Sequence, residues 1–123
     1  MKKIPLAILF LILTQLSCQK EMPAVIKIKT LSADHIMAAT ATLHGEIIDI
    51  GEGVSDHGHC WAKHSEPEFK DFSSKHGSLS EPGSFQSEID DLEADTKYYY
   101  RAWAKGGDGN VIYAEVKDFT TND

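Results

Sequence analysis

Among the six histidines of this 123-residue chain, His57 and His59 are the pair whose spacing suggests chemistry. Two positions apart on an extended strand, they project to the same side, an arrangement from which two imidazoles can close on one zinc ion. A complete site needs further donors from a loop, and His64, His76 or the carboxylate of Asp56 are the candidates. The alternative for the same two residues is a solvated or partly packed pair. Cys60 points to the opposite side by the same alternation, which argues against a Cys–His nucleophile. Ser55, Asp56 and His57 are neighbours in sequence and not a triad gathered from separate elements, and no Gly-x-Ser-x-Gly elbow occurs. Asp90, Asp91, Glu93 and Asp95 crowd one turn without the ordered ladder, glycine and terminal glutamate of a calcium loop. Lys105 to Asn110 is rich in glycine, but it joins two strands and offers phosphate no helix terminus. These readings give no enzyme and no cofactor.

Aromatic rings supply a second kind of chemistry, recognition. In the run Lys97 to Lys105, Tyr98, Tyr100, Ala102 and Ala104 share one face while Tyr99, Arg101 and Trp103 share the other. If the first face is core, the second is expected outside, and Trp61 on a neighbouring strand is expected to join it, with Cys60 facing in. An outward strip of Trp61, Tyr99, Arg101 and Trp103 could stack on sugar rings or anchor a protein partner. The alternative is cation–π packing of Arg101 between rings on a solvated sheet.

The elements that must position these residues are strands. Apolar and polar residues alternate with a period of two in short runs separated by glycine, proline, aspartate and serine, which is a β pattern. Ile26 and Ile28 open it, and Ala39, Ala41, Leu43, Gly45 and Ile47 continue it. The runs His57 to Lys63, Ser84 to Ile89, Lys97 to Lys105 and Val111 to Thr120 follow. No stretch shows helical spacing, so an all-β fold is expected. The polar segment Ser65 to Gly83 reads as a short edge strand around Phe69 to Ser73 and a loop beyond. Val116 and Phe119 fall on opposite parities, so the last run either carries a bulge or turns one of them outward.

The first 17 residues are built for export. Lys2 and Lys3, the apolar run Ile4 to Leu13 and small Ser17 before Cys18 form a signal segment, whose apolar run falls short of the ~20 residues a spanning helix needs. Leu16-Ser17-Cys18 resembles a bacterial lipobox, although Gln15 stands where that pattern prefers leucine. The resemblance implies cleavage before Cys18 and a lipid on its sulfur; an ordinary secretory signal is the alternative. Gln19-Lys20-Glu21 is similar to the short charged signal that sends some lipoproteins to the outer face of the outer membrane. Surface display is therefore expected, with a periplasm-facing anchor as the alternative. Residues 18–23 form a short tether and 24–121 one domain.

The chain carries 19 acidic against 12 basic residues, a formal net charge of −7, and loss of Lys2 and Lys3 with the leader makes the mature protein more acidic still. That balance argues against nucleic acid and against direct adhesion to anionic head groups. With Cys18 acylated, Cys60 is left without a disulfide partner, so packing alone must hold the core.

Leu92 followed six residues later by Tyr98 looks like a tyrosine corner, in which the ring packs under a crossover and the hydroxyl bonds the backbone upstream. With Leu43-x-Gly45, Gly58-x-Cys60-Trp61, Arg101-Ala102-x-Ala104, the Gly109 turn and Phe119-Thr120-Thr121, it makes a set that resembles a fibronectin type III-like domain of bacterial surface lipoproteins. Ala94 and Trp103 depart from the family's usual proline and tyrosine. The resemblance implies an immunoglobulin-like antiparallel sandwich of about seven strands. The function expected from these readings is a lipid-anchored interaction module that contacts a partner protein or a glycan. The alternative is a zinc-binding accessory lipoprotein using His57 and His59.

Overall fold

The computed structural model describes residues 24–123; the expected signal segment 1–17, the expected lipidation at Cys18 and the expected tether 18–23 lie outside the described residues. Eight strands follow in chain order: β1 (Ile26–Asp34), β2 (Ala41–Ile50), β3 (Val54–Ala62), β4 (Phe72–Ser73), β5 (Gly83–Ile89), β6 (Lys97–Gly106), β7 (Val111–Tyr113) and β8 (Lys117–Thr120). One sheet has the order β1-β2-β5 and the other β4-β3-β6-β7, with β8 also paired to β6. All ladders are antiparallel. The result is an all-β, fibronectin type III-like sandwich.

The period-two pattern explains the core. On β2, Ala41, Leu43 and Ile47 are buried, and across the gap β6 supplies Tyr98, Tyr100, Ala102 and Ala104. Each fully buried side chain such as Leu43 or Ile47 contributes about 1.5–3 kcal/mol. Gly51, at φ 61°, turns the chain between β2 and β3, where a Cβ would press on the Ile26 backbone.

The tyrosine corner is present. Leu92 and Tyr98 lie in one buried cluster, and the Glu93 N–H donates to the Tyr98 hydroxyl at 2.9 Å. The run Val111 to Thr120 is not the single strand expected: it breaks into β7 and β8, which pair successive halves of β6. At the interruption the Ala114 N–H still donates to the Ala102 carbonyl at 2.9 Å, and Phe119 is buried while Val116 is only partly so.

Strand β3 departs from expectation. Its register places His57 opposite Ala104, His59 opposite Ala102 and Trp61 opposite Tyr100. Directly opposed residues share a face, so these three point between the sheets and Cys60 points away from them. Cys60 is nonetheless fully buried, because the segment after β3 lays Pro67 and Phe69 over the outer face of the second sheet before residues 72–79 run along the edge of β3. Both faces of β3 are covered, which removes the alternation that would have fixed its orientation.

Candidate functional site

The structure divides the residues expected to act together. Tyr99, Arg101 and Trp103 do lie on the outer face of β6, but Trp103 is 0% exposed. Phe69 from the covering segment meets its ring edge-on, with centroids 4.7 Å apart, and its indole N–H donates to the His59 carbonyl at 3.1 Å. Arg101 is held by the covering segment as well: its Nε donates to the Pro67 carbonyl at 2.8 Å and its guanidinium lies 4.1 Å from the centre of the Tyr113 ring. Tyr99 is partly exposed, with the Lys97 ammonium over its ring at 5.4 Å. The expected open strip is therefore a small second core. Trp61 belongs to the opposite face.

The histidine pair is likewise turned inward. His57 and His59 are 3% and 0% exposed. The His57 Nδ1–H donates to the Gly77 carbonyl at 2.7 Å, and His59 Nδ1 lies 2.7 Å from the Ser87 hydroxyl. That hydroxyl also meets Ser74 Oγ at 2.7 Å and His76 Nε2 at 2.9 Å. His59 Nε2 finds no well-formed partner, and burial pulls the imidazole down to about 4, a shift the His44 backbone alongside only partly opposes. Among the described residues no group of three His, Cys, Asp or Glu side chains is arranged to hold a metal ion. The pair is packed in a hydrogen-bonded polar seam that joins residues 74–77 to β5. Burial pushes the Cys60 thiol up to about 11, so it is a packing residue.

What remains open is a cleft of about 780 Å³ at one edge of the sandwich, within the size range of small-molecule sites. Its floor is aromatic. Trp61, near the end of β3, is paired with Phe72 of β4, so both rings emerge on the same side. Their planes are 16° apart and their centroids 6.2 Å apart, an offset stack in which Phe72 carries the more open ring face. Phe72 is 65% exposed and Trp61 partly so, one flank resting on the Leu92 and Tyr98 cluster.

The β5–β6 connection forms the other wall with Asp90, Asp91 and Glu93. Asp91 and Asp95 take left-handed backbone angles, φ 59° and 51°, conformations that aspartate tolerates better than most residues. Two ion pairs rim the cleft: Lys63 Nζ to Glu93 Oε2 at 2.8 Å, and His64 Nε2 to Asp71 Oδ2 at 3.0 Å. The hydrogen bond to Glu93 raises the Lys63 ammonium above its ordinary value. The Glu68 N–H donated to Asp71 holds that carboxyl below the usual range, and His64 adds to the effect. A second depression, of about 600 Å³ beside Thr42, His44 and Gln86, has no Trp, Tyr or Phe in its lining.

Sequence reading found Trp61 but missed Phe72, because their partnership exists only through the β3–β4 register. A signal for the covering segment was available in Gly58. Any side chain there would run into the Ser74 carbonyl, and a glycine inside a strand marks such a close approach.

These features define a class: a fibronectin type III-like sandwich with an aromatic cleft at the open edge of its sheets. No protein-family model matches the chain, and no curated protein matches it. Solved structures do. The sensor domain of the anti-sigma factor RsgI4 of Pseudobacteroides cellulosolvens, in its short form, gives a TM-score of 0.58 at 19% identity, covering 82% of this chain and 96% of that one. Its solution structure gives 0.59 at 18% identity, covering 80% and 76%. The fibronectin type III domain of human fibronectin type III domain containing protein 3 gives 0.51 at 14% identity, covering 83% and 89%. At these identities the likeness establishes the fold, and the fold alone does not assign a ligand.

Proposed function

We propose that this protein is a lipid-anchored, non-catalytic binding module of the cell envelope that takes a glycan in the cleft between Trp61, Phe72 and the 90–93 turn. The observation that carries the reading is the stacked Trp61–Phe72 pair, with the Phe72 ring exposed and Trp61 partly so at the mouth of the cleft. Aromatic faces are electron-rich and attract the polarised C–H groups on the flat side of a sugar, while flanking carboxylates accept its hydroxyls. Single exposed apolar residues need no explanation; two register-paired rings in a ligand-sized cleft do. The signal segment and Cys18 support export and anchoring at the outer membrane, with the cell surface as the favoured side. The RsgI4 neighbours are sensor domains of an anti-sigma factor, which agrees with a binding role for a domain of this shape.

An oligosaccharide array probed with the full chain, followed by titration of the best binder, tests the proposal. Phe72→Ala, which removes an exposed ring, is expected to weaken binding roughly tenfold. Unchanged affinity in that variant would place the site elsewhere, and an array on which nothing binds would remove the glycan reading.

A further inference from the structure

Building on the glycan reading of the cleft, we propose that its preferred ligand is an amino sugar with a free ammonium group. The argument is charge complementarity. The two basic side chains at the cleft are already engaged, Lys63 by Glu93 and His64 by Asp71. Asp90 and Asp91 stand exposed in the facing wall and, among the described residues, make no side-chain hydrogen bond or ion pair. The space over the Trp61–Phe72 stack is thus bounded by ring faces on one side and uncompensated negative charge on the other.

A ring face and a carboxylate attract the same kind of group. An ammonium held over the stack gains from the aromatic quadrupole and from Coulomb attraction to carboxylates a few ångströms away. A uronic or sulfated sugar in the same place meets like charge, and an N-acetylated or neutral sugar keeps the stacking and hydroxyl contacts but gains no ionic attraction. The acidic balance of the whole chain, −7, acts in the same direction at longer range.

The test uses the full chain with three probes of similar length: a glucosamine oligomer, its N-acetylated counterpart and an oligogalacturonate. At low salt the free amine is expected to bind about five- to tenfold more tightly than the acetylated form, the advantage shrinking as salt is raised, and the uronate is expected not to bind. An Asp90→Asn, Asp91→Asn double variant should lose the preference, binding the free and the acetylated oligomers with the same affinity.

Equal binding of acetylated and free forms, or a preference that survives the double variant, overturns the proposal while leaving the glycan site standing, provided binding still depends on Phe72. Amine binding that is indifferent to Phe72→Ala is general adhesion to an acidic protein and also overturns it. Failure of all three probes removes this proposal, while the glycan reading falls only with an oligosaccharide array on which nothing binds.

Discussion

Acid should loosen this sandwich earlier than its carboxylates alone would, and His59 sets the size of the effect. In the fold the imidazole is fully buried and its value is pulled down to about 4 from 6.5; in the unfolded chain it returns to the ordinary value. The unfolded state therefore binds a proton that the native state refuses, so stability falls as pH drops from about 6.5 towards 4. At about 1.4 kcal/mol per pH unit, the loss between pH 7 and pH 5 is about 2 kcal/mol and approaches about 3 kcal/mol near pH 4.

Against a total stability of about 5–15 kcal/mol for a typical domain, that is a large share. Urea unfolding at the two pH values measures it, and His59→Asn is the control. Asparagine keeps a polar atom near Ser87 but cannot titrate; the variant is less stable throughout, and the pH-dependent part should shrink by about 2 kcal/mol. His76, also lowered chiefly by burial, is present in both proteins and largely cancels. Asp34 and Asp71, both lowered, act only below about pH 4. A wild-type protein equally stable at pH 7 and pH 5, or a variant with an undiminished slope, would refute the reasoning.

Two further outcomes follow from particular contacts and a third from the proposed lipidation of Cys18. Tyr98→Phe leaves the Glu93 N–H without its acceptor and should cost about 1–3 kcal/mol, lowering the thermal midpoint by roughly 5 °C or more in calorimetry. Gly58→Ala drives a methyl group into the Ser74 carbonyl, so residues 65–79 should shift off β3, exposing Trp103 and moving tryptophan fluorescence to the red. An unmoved spectrum with unchanged stability would contradict that account. Cys18→Ser should abolish incorporation of a labelled fatty acid and release the protein from the membrane fraction, whereas continued labelling would place the lipid elsewhere.

The parts of the fold that were legible in the sequence are those set by local rules. Ala41, Leu43 and Ile47 declared the inner face of β2 because its outer face is wet. Leu92 and Tyr98 declared the crossover because a six-residue spacing contains the whole device. Val116 and Phe119 declared an irregularity in the last run because one continuous strand cannot bury both, but not that it would part into β7 and β8. Strand β3 was not legible: with His57, His59 and Trp61 facing the core and Cys60 beneath the covering segment, both parities are buried and period two carries no direction. Trp103 was assigned to the surface for the same reason, since the cover over it comes from Pro67 and Phe69, more than thirty residues away in a segment too polar to read as core. The cleft was half legible. Trp61 was singled out, but its partner Phe72 is fixed by a two-residue ladder that no local pattern encodes.

The most direct test of the binding account is a titration of the isotopically labelled protein with the oligosaccharide that binds best, followed by NMR. Resonances of the Trp61 indole, of residues 71–73 and of the 90–93 turn are expected to move together and saturate with one affinity, while Tyr99, Arg101 and Trp103 stay still. Shifts centred on Tyr99 and Arg101, or on the outer face of the β1-β2-β5 sheet, would contradict it.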